Sequence, residues 1–89
     1  MASNEYNIEW KRSATKELRQ LPREVVARIL RAVEELRHKL FPAGVSKLSG
    51  AEHTYRIREG SYRVIYSVYA SRLIIEVIRV GHRRDVYKK

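Results

Sequence analysis

Two hydrophobic periods divide this chain. From Arg23 to Leu40 the apolar residues Val25, Val26, Ile29, Leu30, Val33, Leu36 and Leu40 recur at steps of mostly three and four, as in a helix with one apolar stripe. Further on the period changes. Thr54 to Glu59, Tyr62 to Tyr69 and Arg72 to Val80 are rich in β-branched and aromatic residues, and the turn signals Glu59-Gly60-Ser61 and Ala70-Ser71 separate them. Three strands joined this tightly form an antiparallel meander. Neither a one-sided helix nor a one-sided sheet can bury its apolar surface alone, so each must cover the other.

Ahead of the long helix, Tyr6, Ile8 and Trp10 alternate with Asn7 and Glu9, which predicts a short strand. Ser13 is placed to cap a first helix from Ala14 to Gln20, with Leu18 and Leu21 as its apolar stripe, and Pro22 separates it from the second. Pro42 and Gly44 end the second helix, and Phe41 to Gly50 reads as a connecting loop. The expected fold class is therefore α+β: a strand, a two-helix hairpin and a three-stranded meander, forming a small antiparallel sheet covered on one face by the helices. At 89 residues, a single domain spanning 1–89 is expected.

Composition narrows the chemistry. Without cysteine there is no disulfide framework, thiolate metal site or cysteine nucleophile, and a reducing, cytoplasmic location is expected. Glu76 and Arg79 interrupt the most apolar late run, Leu73 to Val80, so neither a membrane span nor a signal peptide is predicted. His38, His53 and His82 lack metal-ligand spacing, and Gly44, Gly50, Gly60 and Gly81 are too scattered for a phosphate-cradling loop. Neither a metal nor a cofactor is expected.

Charge points toward a polyanion. Lys and Arg number 19 against 10 Asp and Glu, a formal net charge of +9, and residues 45–89 hold 10 of the cations with only 4 of the acids. The outer face of the long helix mixes Arg23, Glu24, Arg28, Arg31, Glu34, Glu35, Arg37 and Lys39 and reads as solvated surface. The strand from Thr54 differs. Side chains alternate faces, so Tyr55 and Ile57 point one way while Arg56 and Arg58 point the other, and Arg63 beyond the turn comes near Arg58. Three guanidiniums in one place repel unless an anion lies among them. The closing run His82, Arg83, Arg84, Asp85, Val86, Tyr87, Lys88, Lys89 interleaves cations with an aromatic, which suits phosphates and unpaired bases. Lys47, His82, Arg84, Lys88 and Lys89 are the expected RNA-binding set.

The order of elements and the segments Tyr6-Asn7-Ile8-Glu9-Trp10, Lys47-Leu48-Ser49-Gly50, Tyr55-Arg56-Ile57-Arg58, Tyr62-Arg63-Val64-Ile65-Tyr66 and Val80-Gly81-His82-Arg83-Arg84-Asp85-Val86-Tyr87 resemble the RelE/ParE superfamily of bacterial and archaeal toxins. The closing segment is most similar to the RelE branch. This resemblance implies the toxin of a type II toxin–antitoxin pair, a metal-independent endoribonuclease that enters the ribosomal A site and cuts the mRNA there. In that family the messenger's own 2′-hydroxyl attacks the adjacent phosphate, leaving a cyclic phosphate and a free 5′-hydroxyl. The family's two basic residues on the second strand fall on Arg56 and Arg58, its third-strand arginine on Arg63, its post-strand arginine on Arg83 and its C-terminal tyrosine on Tyr87.

In one respect the chain departs from the RelE pattern, which often has lysines at the two second-strand positions. Arginine, with a pKa above about 12, is a poor base. Arg56 and Arg58 are therefore expected to bind phosphate, leaving the base to Tyr87, His82 or His53. The resemblance also implies an acidic, RelB-like antitoxin, assembled with the toxin as a hetero-oligomer. Two other readings compete: a ParE-like inhibitor of DNA gyrase without nuclease activity, and a nucleic-acid-binding module that performs no catalysis.

Overall fold

The computed structural model describes residues 6–48, 50, 52–82 and 84. Its elements run β1 (Asn7–Trp10), α1 (Arg12–Arg19), α2 (Arg23–Glu35), β2 (Ser46–Lys47), β3 (Thr54–Glu59), β4 (Tyr62–Tyr69) and β5 (Ile74–His82). They build one five-stranded sheet in the order β1-β5-β4-β3-β2. The class is α+β, as the two periods require. All neighbours are antiparallel except β1 and β5, which pair in parallel: the helical hairpin carries the chain from β1 to β2 at the opposite edge, and the antiparallel run β2 to β5 brings it back beside β1.

The helix boundaries depart from expectation. α1 begins at Arg12 behind an extended Lys11, so Ser13 lies inside the helix and no side chain caps it. Lys11 starts the helix with its backbone, its carbonyl accepting the Thr15 N–H at 3.0 Å and the Thr15 hydroxyl at 3.3 Å. α2 follows directly on Pro22, whose carbonyl accepts from Val25 and Val26. It stops at Glu35, although the apolar spacing runs on to Leu40. Two tertiary bonds hold the end of the hairpin: Arg37 Nη1 donates to the Tyr6 carbonyl at 2.7 Å, and the Tyr66 hydroxyl donates to the Leu40 carbonyl at 2.6 Å. The expected loop also contains a short strand. Ser46 and Lys47 pair with Arg56 and Tyr55 as β2.

The core lies between helices and sheet. Ile29, Val33 and Leu36 meet Val64, Tyr66, Ile75, Val77 and Val80, all essentially inaccessible to water. Val77 and Val80 are three residues apart, and strict alternation would send them to opposite faces. An irregularity in the pairing removes the conflict. Ile65 pairs with Arg79 and Tyr66 with Val77, which leaves Ile78 as an extra residue in β5. Beyond this bulge the phase of β5 is reset, and Gly81 falls opposite Arg63. Among the described residues no helix is long and apolar enough to cross a membrane.

Candidate functional site

The face of the sheet turned away from the helical core is set by the pairing register. β3 and β4 match Thr54 with Ser67, Arg56 with Ile65 and Arg58 with Arg63, each pair on that face. Tyr55, Ile57 and Glu59 take the other side, where Ile57 enters the core and Glu59 lies 3.8 Å from Arg28 of α2. Directly opposed strand residues have Cα atoms about 5 Å apart. Arg58 and Arg63 are therefore immediate neighbours of like charge, a pairing that destabilises a sheet.

Two features suit this pair to an anion. Among the described residues neither Arg58 nor Arg63 forms an ion pair, while Arg28, Arg37 and Arg79 each have a carboxylate partner. The half-buried Arg63 donates from Nη1 to the Tyr62 carbonyl at 3.3 Å, but its Nε lies out of reach of water without an acceptor. A buried donor left unsatisfied is costly, and an incoming oxygen would satisfy it. Gly81 on β5 completes the row Arg58, Arg63, Gly81 and puts no side chain beside the guanidinium of Arg63.

Arg56 lies one step along the same face. Its Nη2 donates to Ser46 Oγ at 3.0 Å, so the short strand β2 helps orient it. Between Arg56 and Arg79 in the register sits Ile65, which is buried although it faces away from the helices. Long side chains cover such a residue with their methylene stems while their charged heads stay outside. Farther along, Thr54 Oγ1 and Ser67 Oγ are hydrogen-bonded at 2.8 Å, and the Tyr69 hydroxyl reaches Glu76 at 3.5 Å. Basic and acidic ends thus share one face.

Not all the expected residues converge on this row. Lys47 pairs with Tyr55 and so belongs to the opposite face from Arg56. His82 pairs with Tyr62, also on the helix side, and the two rings meet edge-on with centroids 5.6 Å apart. They line a cleft of about 450 Å³ between the α1–α2 junction and the end of β5. His82 Nδ1 accepts the backbone N–H of the exposed Arg84 at 3.2 Å. His53 lies at the other end of the sheet, its ring 6.1 Å from that of Tyr69. Arg83, Tyr87, Lys88 and Lys89 lie outside the described residues. Among the described residues no cluster of His, Cys, Asp or Glu could hold a metal ion.

Sequence reasoning missed Ser46 and Glu17. Glu17 of α1 accepts the Val80 N–H at 2.9 Å and binds Arg79 at 3.1 Å, fixing the strand end that carries Gly81. Its position four residues after Ser13 gives no hint of either partner.

The model of the ParE toxin of type II toxin–antitoxin systems, parDE, matches residues 8–87. The chain belongs to that toxin family. It is similar to the toxin RelG of Mycobacterium tuberculosis, 25% identical over 85 residues that cover 94% of this chain and 98% of that one. The toxin's fold is similar to a solved archaeal RelE–RelB complex from Pyrococcus horikoshii, at 30% identity and a TM-score of 0.78, covering 90% of this chain and 97% of the other. It is also similar to the isolated E. coli RelE toxin, at 31% identity and a TM-score of 0.72, covering 92% and 90%. The toxin is thus a member of the RelE/ParE superfamily of type II toxins.

Proposed function

We propose that this toxin is a metal-independent endoribonuclease that cuts mRNA in the ribosomal A site. The observation that carries the reading is the Arg58–Arg63 pair, two arginines directly opposed across β3 and β4, neither with an ion-pair partner among the described residues, and a buried N–H of Arg63 still lacking an acceptor. Such a pair costs the free protein stability and suits a phosphodiester. When the 2′-hydroxyl attacks, the phosphorus passes through a pentavalent state with extra negative charge, and fixed guanidiniums stabilise that state more than the starting phosphate. The planar fork of arginine can hold two phosphate oxygens at once, which also sets the in-line geometry. Arg56, oriented by Ser46, extends the cationic track along the message.

Arg83 and Tyr87 enter by the superfamily resemblance as a second phosphate ligand and as the stacking or proton-exchanging phenol. A flexible message must be held in line for attack, so free ribonuclease activity is expected to be weak and the ribosome to do the holding. The neighbouring RelE–RelB complex supports an acidic antitoxin as partner, since cations left open for RNA are an equally good dock for carboxylates.

A second reading, inhibition of DNA gyrase without cleavage, is favoured by the ParE description of the matching family, whereas relatives with RelE-type names favour the nuclease. Single-turnover cleavage of a message on programmed ribosomes separates them. Codon-phased breaks that vanish in Arg63→Ala support the nuclease. Intact messages together with blocked gyrase supercoiling would overturn it.

A further inference from the structure

β5 ends on His82, and the way it ends bears on the arginine row. The pairing of β4 with β5 closes with Tyr62 opposite His82, one step beyond Arg63 and Gly81. Gly81 belongs to the arginine row, and strand alternation turns His82 away from it. There the imidazole acts on its own chain: His82 Nδ1 accepts the Arg84 backbone N–H at 3.2 Å. A side chain that accepts from the N–H two residues ahead makes the bond of an Asx turn, which bends the backbone. An acceptor needs a lone pair, so the bond assigns the ring proton to Nε2 and leaves Nδ1 bare. Tyr62 meets the ring edge-on with centroids 5.6 Å apart, and the half-buried His82 stays on the helix side, lining the cleft with Gln20, Leu21 and Pro22.

We infer that His82 is a positioning residue: by bending the backbone at the end of β5 it aims Arg83, the residue its hydrogen bond spans, at the phosphate held by Arg58 and Arg63. The target rests on the nuclease reading; the turn does not. Gly81 is paired with Arg63, so a chain that bends just after it leaves the sheet beside that guanidinium. An extended continuation would instead carry position 83 about 7 Å beyond Gly81. That difference is decisive for a side chain that must share phosphate oxygens with its neighbours, since a misplacement of only about 1 Å can cost a reaction ~10²-fold. His82 thus serves cleavage without touching the message. This role also accounts for an imidazole that follows the arginine row in sequence yet faces the opposite side of the sheet.

The test uses the full-length toxin. His82→Asn keeps an oxygen able to accept the N–H two residues on, whereas His82→Phe keeps a ring against Tyr62 but has no acceptor. Nitrogen NMR of the wild-type imidazole should show the proton on Nε2 and none on Nδ1. Exchange of the Arg84 amide should be at least ~5-fold faster in His82→Phe than in wild type or His82→Asn. In single-turnover cleavage on programmed ribosomes, His82→Phe should lower the rate at saturation by ~10- to 10²-fold with ribosome affinity unchanged, and His82→Asn should stay within about threefold of wild type. On an Arg83→Ala background His82→Phe should cost nothing more, the mark of two residues acting as a unit. A proton on Nδ1, equal losses in the two His82 variants, or an undiminished effect of His82→Phe on that background would overturn the inference. If the wild-type toxin leaves messages intact, the nuclease reading falls and takes the target of Arg83 with it, while the NMR and exchange results still decide whether His82 makes the turn.

Discussion

The carboxylate of Glu17 takes the backbone N–H of Val80 at 2.9 Å, closing the edge of β5 where β1 has stopped pairing at Val77. Its other oxygen holds Arg79 at 3.1 Å, so one side chain from α1 serves as a short surrogate strand. Hydrogen bonds to a charged acceptor are worth about 1.5–3 kcal/mol. Glu17→Ala is expected to lower the unfolding free energy by about 2 kcal/mol in urea titration, and Glu17→Gln, which keeps an acceptor, by about half as much. Cleavage should fall in Glu17→Ala as well, because the strand end bearing Gly81 loses its anchor.

Removing one member of the Arg58–Arg63 pair separates stability from activity. Arg58→Ala relieves a like-charge contact and should stabilise the free toxin by a few tenths of a kcal/mol at low salt, a gain that fades as salt screens the pair. The same substitution should slow single-turnover cleavage by ~10²- to 10³-fold, the usual loss for one donor to a developing anion. Denaturation midpoints and cleavage rates measured on one preparation check both halves.

Tyr66 makes the fold sensitive to alkali. Burial, with a smaller contribution from the neighbouring Tyr55, raises its pKa above the ordinary value of 10.0. Above that value the unfolded chain releases the proton while the folded chain retains it. The stabilisation is therefore complete below about pH 10 and declines as pH rises further, by up to about 1.4 kcal/mol per pH unit. Tyr66→Phe should remove this slope from the difference curve. At neutral pH it should cost about 1 kcal/mol, since the Leu40 carbonyl loses its 2.6 Å partner. Unfolding free energies from pH 7 to 11 test the sign.

Gly60 sits at φ +62° in the turn that brings Arg58 and Arg63 together. A methyl group there would meet Arg28 Nη2 at 3.9 Å, an ordinary contact, so any cost is conformational. Gly60→Ala should destabilise by about 1–2 kcal/mol, while Gly60→Asn, which tolerates this backbone region better, should cost less. Thermal unfolding of the two variants distinguishes strain from crowding.

Local chemistry alone determined a good deal of this protein. The change of hydrophobic period set the α+β class, the bounds of β3 and β4 followed from their composition and turn, and strand alternation placed Arg56, Arg58 and Arg63 on one face. These features depend on neighbours within a few residues, which a linear pattern records. Tertiary structure decided the rest. α2 stops before its apolar stripe does, β1 joins the sheet in parallel, Lys47 and His82 fall on the far side from the arginine row, and the bulge at Ile78 lets Val77 and Val80 share the core. The partners of Glu17 lie more than sixty residues away in the chain, and their meeting follows from the packing of α1 along β5. Periodicity cannot encode such meetings, because they arise only when separate surfaces, each one-sided by itself, close on one another.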